Sequence, residues 1–300
     1  NFEIDKEARE YVESLIKRAR KAQESIEDYT QEQVDKLVTA VVWNIVKDGP
    51  AQEISKLAVE ESRMGNFEGK YNKLMAKAKG VIRDMKGKKS VGVIEIDEEK
   101  QIMKIAKPVG VIGALVPCTN PEATPTVKVA HALKGRNAII LSPHPRTKKT
   151  NTFIVNIIRE TLKRYGAPED LVIGIEEPTM EISGELMKQC DLILATGGAG
   201  LVKAAYSSGT PAYGVGAGNA VIVVDETADL KDAAHKIMLS KTFDFATSCS
   251  AENSLIIQES IYDEFVEALK AEGGYLANSE EKAKLQKTIW VDGHLNPKII

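Results

Sequence analysis

The chain has 300 residues, 43% of them hydrophobic and 28% charged, with a formal net charge of −3. That length supports one large domain or two of ordinary size around a substantial core. Lys and Arg are scattered among Asp and Glu, so no basic stripe points to nucleic acid, and no apolar run approaches the roughly 20 residues that span a bilayer. The three cysteines lack CxxC spacing and a His-x3-His partner, which indicates neither a metal site nor a disulfide framework. With a charged, helical N-terminal pattern in place of a signal peptide, the expected compartment is reducing and cytoplasmic.

From Ile4 to about Ile26, Tyr11, Leu15, Ile16, Ala19 and Ala22 recur at helical spacing among Lys, Arg and Glu, which predicts an amphipathic helix. Thr30 is placed as an N-cap with Gln33 at the capping-box position, and Gly49-Pro50 closes the helix that follows. Further helices are expected over Ala51 to about Arg63 and Lys70 to about Met85, giving a helical layer over residues 1–87. Ser90–Asp97 and Ile102–Ala106 then alternate with period two around a Glu98-Glu-Lys100 turn, a hairpin over 90–106. Its exposed edge predicts a homo-oligomer contact.

From Pro108 the pattern becomes α/β. Apolar strands at Val109–Val116, Ala138–Leu141, Leu171–Ile173, Leu192–Ala195 and Ala220–Val224 alternate with helices at Thr124–Leu133, Lys149–Tyr165, Met180–Lys188, Val202–Tyr206 and Leu230–Leu239. This predicts a doubly wound parallel sheet, Rossmann-like over 108–240, that binds ligands outside the carboxyl ends of its strands. The expected nucleotide-binding domain is thus 1–240, and 241–300 opens a second α/β domain.

Several segments could carry chemistry. Thr196-Gly-Gly-Ala-Gly200 is a strand-to-helix turn whose amides could face a phosphate, although such a turn is as often plain topology. Gly209 to Asn219 holds four glycines, which gives backbone freedom or close approach to a ligand. Asn120, between Thr119 and Pro121, has an amide able to donate to an oxyanion, and is equally an ordinary turn residue. Cys249 stands among Thr247, Ser248 and Ser250 just before the strand-like Ser254–Ile257, as a wall-of-cleft thiol or as an ordinary half-buried cysteine. His131, His235 and His294 read as packing or surface residues, Cys190 as buried, and Cys118 as a neighbour of Asn120.

Taken in order, Pro117-Cys-Thr-Asn-Pro121, Arg136 to Arg146, Leu194 to Gly209, Gly214-Val-Gly-Ala-Gly-Asn219, and Lys241-Thr-Phe-Asp244 with Cys249 resemble the CoA-acylating aldehyde dehydrogenases. The branch they resemble is the aldehyde dehydrogenase half of the bifunctional aldehyde–alcohol dehydrogenases, with acylating sulfoacetaldehyde dehydrogenases and the microcompartment propionaldehyde and acetaldehyde enzymes as relatives. The likeness runs from about Ala8 to Ile300 and includes the Thr30–Lys36 helix start.

The resemblance implies that Cys249 is the nucleophile and that the Asn120 amide and the Cys249 N–H form an oxyanion hole. It implies a nicotinamide nucleotide, NAD or NADP, along Pro117, Thr119, Ser142, Pro143, His144, Arg146, Thr196, Gly197, Gly198, Val202, Gly214, Val215 and Gly216, with CoA as co-substrate. Hydrolytic relatives carry a Glu at the position of Val215, and the loop here has no carboxylate, which implies acyl transfer instead of hydrolysis. Ser142 stands where hydrolytic relatives have a ribose-binding Lys, which leaves NAD or NADP open. Thr247, Ser248 and Ser250 suit a polar tail, leaving sulfoacetaldehyde and acetaldehyde as alternatives. The family continues past the position of Ile300, so a truncated chain is expected, with a nucleotide-binding fragment of little activity as one alternative. An acyl-phosphate reductase of the same superfamily is another.

Overall fold

In the computed structural model, which describes residues 2–216 and 218–296, the chain opens with four helices: α1 (Phe2–Glu24), α2 (Gln31–Val46), α3 (Pro50–Ser62) and α4 (Phe67–Met85). The predicted capping box closes: Gln33 N donates to Thr30 Oγ1 and the Thr30 amide donates to Gln33 Oε1. Pro50 occupies the first turn of α3, where its missing N–H costs no helical bond.

The hairpin β1 (Gly92–Asp97) and β2 (Ile102–Ala106) forms a separate antiparallel pair. Its root is anchored at two points. Gln31 Oε1 accepts from the amides of Ser90 and Val91, and the buried Arg136 reaches the carbonyl oxygens of Glu27 and Ala106. Beyond that root Val93, Ile94, Ile96, Ile102, Met103 and Ile105 are all exposed.

The sheet behind the helical layer comprises β3 (Val111–Val116), β4 (Ala138–Pro143), β5 (Val172–Gly174), β6 (Leu192–Thr196) and β7 (Ala212–Val215). All are parallel, in the order β5-β4-β3-β6-β7. The connecting helices are α5 (Thr124–Lys134), α6 (Lys148–Arg164), α7 (Met180–Gln189) and α8 (Ala199–Tyr206). Every residue of β3 and β4 is buried, which is why these strands read as continuous apolar runs. Packing of α1 on α7 and β4, and of α2 on α5 and α6, merges the helical layer and the sheet into one core. The order reverses between β3 and β6, so their carboxyl ends flank the topological switch point.

Two expectations are corrected. Residues 212–215 belong to the sheet as its edge strand β7, although their glycine content reads as loop. The glycine answers to packing: a Cβ on Gly214 would lie 2.6 Å from Val202 Cγ1 and 2.7 Å from Tyr206 Cε2 of α8. Because β7 takes the edge beside β6, Ala220–Val224 is not the last strand of this sheet. As β8 it pairs in parallel with β9 (Glu252–Ile257). The chain divides into a compact unit of Asn1–Gly218 with Thr247–Cys249 and a second of Asn219–Ala246 with Ser250–Ile300.

The second unit contains β8, α9 (Leu230–Thr242), β9, α10 (Tyr262–Ala271), α11 (Ser279–Ile289) and the short hairpin β10 (Trp290–Val291) and β11 (His294–Leu295). Val224, Ala234 and Phe265 are its buried centre.

Candidate active site

The carboxyl ends of four of the five parallel strands, β3, β4, β6 and β7, gather most of the candidate residues. Pro117, Thr119 and Asn120 follow β3, and Ser142 and Pro143 close β4 with His144 and Arg146 beyond. Thr196, Gly197 and Gly198 join β6 to α8, and Gly214, Val215 and Gly216 end β7. Hydrogen bonds tie neighbouring ends together, from His144 N to Val116 O at 3.0 Å and from Gly197 N to Val215 O at 3.1 Å.

Two helix N-termini at this rim differ in how they are satisfied. At α6, Glu61 of α3 accepts from the amides of Lys149 and Thr150 and from the Thr150 hydroxyl. A carboxylate therefore holds the place an anion would take there. At α8, the N-cap is Gly198 and no side chain caps the first turn. A Cβ on Gly197 would lie 2.6 Å from Leu201 Cδ2, a contact a turn of the leucine side chain could relieve. The α8 amides, beside the switch point, are therefore rim donors that no capping side chain takes up.

Other candidates divide by what their side chains meet. Ser142 is buried, and its hydroxyl lies 3.0 Å from Ser183 Oγ of α7. His144 is exposed, with Nδ1 accepting from Arg146 N; partial desolvation and the nearby Arg146 charge hold its pKa below the usual value. Val202 packs against Gly214 and lies in ordinary contact range of a Cβ on Gly216.

Asn120 is half-buried with a distinctive environment. Its backbone carbonyl accepts from Thr124 N at the start of α5, whereas its side-chain Oδ1 is buried without a hydrogen-bond partner. That oxygen is an acceptor, and the Nδ2 amide is the part of the side chain able to donate. Beside it, Cys118 is half-buried with its sulfur 4.0 Å from Met64 Sδ.

The thiol segment belongs to this unit although the chain between residues 218 and 247 does not. Thr247, Ser248 and the exposed Cys249 cluster with residues 1–218, and a Cβ on Gly218 would stand 3.3 Å from the Cys249 carbonyl oxygen. The glycine loop after β7 therefore lies against the backbone of the candidate nucleophile; Ala217 of that loop lies outside the described residues. Ser250, also exposed, falls in the second unit.

A profile of the aldehyde dehydrogenase family matches residues 2–281. The chain belongs to the aldehyde dehydrogenase family. It is 50% identical over 292 residues to a sulfoacetaldehyde dehydrogenase of an Acholeplasma species, covering 96% of this chain and 60% of that relative. The crystal structure of an acetylating aldehyde dehydrogenase from Geobacillus thermoglucosidasius superposes with a TM-score of 0.92 at 42% identity, over 99% of this chain and 66% of that one. A Rhodopseudomonas palustris propionaldehyde dehydrogenase, solved with bound CoA and an acylated cysteine, gives 0.82 at 30% identity, over 94% and 64%. The chain thus spans less than two thirds of the length of these relatives.

Within the aldehyde dehydrogenase frame, three lysines emerge that spacing alone passes over. Lys128 of α5 is buried and donates to the carbonyl oxygens of Leu115 in β3 and Leu194 in β6. Lys70 and Lys73 of α4 are buried and donate to the Thr119 carbonyl. Their signal in the sequence is a charge in the apolar phase of a helix, beside Leu74, Ala78 and Val81 in α4 and beside Val129, Ala132 and Leu133 in α5. Among the described residues no group of His, Cys, Asp and Glu is arranged to hold a metal ion.

Proposed function

We propose that the protein is a CoA-acylating aldehyde dehydrogenase in which Cys249 carries the acyl group. The observation that carries this reading is the contact of the Cys249 backbone with the glycine loop of the nucleotide-type sheet, a loop without a carboxylate. The Cys249 thiolate attacks the aldehyde carbonyl, forming a C–S bond and an oxyanion. The Asn120 amide and the Cys249 N–H are the donors assigned to that oxygen. A bound nicotinamide nucleotide supplies the hydride acceptor, held by the uncapped α8 N-terminus with Thr196, Gly197 and Gly198. Pro117, Thr119, Pro143, His144, Arg146, Val202 and Gly214 to Gly216 form the rest of its cleft. Ser142 is assigned to the wall behind it, since its hydroxyl is engaged by Ser183.

Loss of hydride oxidises the thiohemiacetal carbon and leaves a thioester on Cys249. With no Glu at Val215 to activate water, the thioester persists until the CoA thiolate attacks it, forming acyl-CoA and releasing the Cys249 thiolate. The balance is aldehyde, CoA thiol and oxidised nucleotide to acyl-CoA, reduced nucleotide and a proton. The absent general base supports this over hydrolysis.

For the substrate we favour a short aldehyde with a polar or anionic tail, of the sulfoacetaldehyde kind. The half-buried Thr247 and Ser248 support hydroxyl contacts to such a tail, and the relative named as a sulfoacetaldehyde dehydrogenase agrees in class. NAD is favoured over NADP, and a homo-oligomer through the 90–106 hairpin completes the reading.

Reduction of the nucleotide, followed by absorbance, tests it with and without CoA. Turnover is expected only with CoA and not in Cys249→Ala. Equal rates without CoA overturn acyl transfer, and phosphate- or arsenate-dependent turnover without CoA assigns an acyl-phosphate reductase instead. A higher kcat/KM for acetaldehyde than for sulfoacetaldehyde removes the polar-tail assignment.

A further inference from the structure

Two buried ammonium groups converge on the peptide that precedes Asn120, and we infer that Lys70 and Lys73 are positioning residues for the oxyanion donor. The two lysines are three apart on α4 and therefore share one face. Lys70 is 0% and Lys73 3% exposed. Lys70 Nζ donates to the Thr119 carbonyl oxygen at 2.7 Å and Lys73 Nζ to the same oxygen at 3.3 Å. The fully buried Glu122 carboxylate stands 3.5 Å from Lys73 Nζ.

Satisfying one carbonyl in a turn requires a single neutral donor. Removing two cations and a carboxylate from water for the same turn is costly, and such groups persist where their placement serves something beyond packing. What they fix is a plane. The described peptides contain no cis bond, so the Thr119–Asn120 peptide is trans, with its C=O and N–H pointing opposite ways. Drawing the oxygen toward α4 sets the plane from which Asn120 departs. On the other side, the Asn120 carbonyl is held by Thr124 N at 3.2 Å. Both flanking peptides are therefore pinned. A side chain whose backbone is pinned on both sides is held rigid at its base, as electrostatic stabilisation of a developing oxyanion requires of its donor.

This inference rests on Asn120 being the oxyanion donor, and a double-mutant cycle separates the two claims. Asn120→Ala, Lys73→Met and the double variant are assayed in the full chain for kcat and KM of CoA-dependent aldehyde oxidation, with thermal melting as a folding control. Asn120→Ala is expected to lower kcat about 10²-fold, the usual effect of losing one oxyanion donor. Lys73→Met is expected to lower kcat about 10-fold with KM within about twofold, as a small misplacement of a transition-state contact does. In the Asn120→Ala background the same lysine change is expected to alter kcat less than about twofold, because two residues acting through one contact are not additive. Equal lysine effects in both backgrounds overturn the positioning role. An unaffected Asn120→Ala overturns instead the reading of Asn120. Lys73→Gln, which keeps a donor within reach of Thr119, is expected to retain more kcat than Lys73→Met; it takes the place of Lys73→Met in the cycle should that variant fail to fold.

Discussion

Lys128 Nζ lies 2.7 Å from the Leu115 carbonyl oxygen, and at 2.8 Å it also meets that of Leu194. These carbonyls belong to β3 and β6, the two strands between which the sheet order reverses. A single side chain from α5 thus ties the central strands where their ends open toward the candidate site. Burial pushes the Lys128 pKa down from its ordinary range to about 7. The folded chain therefore binds fewer protons than the unfolded chain between pH 7 and the ordinary lysine range. Stability from this group is fully present above the unfolded pKa and is lost as pH falls through about 7. Comparison of wild type with Lys128→Met by denaturant unfolding should give a stability difference that grows from pH 6.5 to pH 9, by at most about 1.4 kcal/mol per pH unit. A difference that does not vary with pH refutes the assignment.

The architecture is legible in the sequence wherever one periodicity dominates. β3 and β4 are buried on both faces and show as apolar runs, and Thr30 with Gln33 marks a helix start that closes as a capping box. The failures have a common cause. At β7, packing against α8 demands Gly214, and the glycine hides the strand. At α4 and α5, lysines point inward to backbone carbonyls of the turn after β3 and of the strands β3 and β6, which a count of apolar positions cannot register. β8 has the composition of a sheet strand, and only its pairing with β9 shows which sheet it joins. Cys249 and Asn120 carry no local signal that separates them from an ordinary thiol and an ordinary turn.

Gly214 offers a test of packing against ligand approach. A Cβ there would meet Val202 and Tyr206 below 3.0 Å, whereas among the described residues one on Gly216 would find Val202 Cγ2 at 3.7 Å. Gly214→Ala should destabilise the chain by about 1–3 kcal/mol through overpacking, and Gly216→Ala by clearly less. Thermal melting of the two variants decides, and equal melting temperatures would show that α8 yields without cost.

The β1–β2 hairpin has only two strands, yet its apolar residues are exposed beyond the root. Isolated two-stranded pairs are marginal in water, and an uncovered apolar edge invites pairing. The proposed oligomer would cover it. Placing Asp at Ile96 and Ile105, which are 59% and 54% exposed, should lower the oligomer mass in light scattering while leaving the melting of the chain's core nearly unchanged. Retention of the wild-type mass in the double variant would place the oligomer contact elsewhere.

The three cysteines should differ in reactivity by environment. Cys190 is buried beside Gly113, where a Cβ would lie 2.8 Å from its sulfur, and desolvation raises its pKa to about 11. At pH 8 its thiolate fraction is on the order of 10⁻³, and the surrounding core excludes reagents. Cys118 is half-buried against Met64, and Cys249 is exposed. Iodoacetamide at pH 8 should therefore modify Cys249 first and Cys118 more slowly, with Cys190 reacting only after denaturation, as read by peptide mass spectrometry over time. If Cys249 is the acyl carrier, its modification should abolish turnover in step with its labelling. Full activity after complete Cys249 labelling would remove that residue from the reaction, because a thioether sulfur can neither attack a carbonyl nor leave as a thiolate.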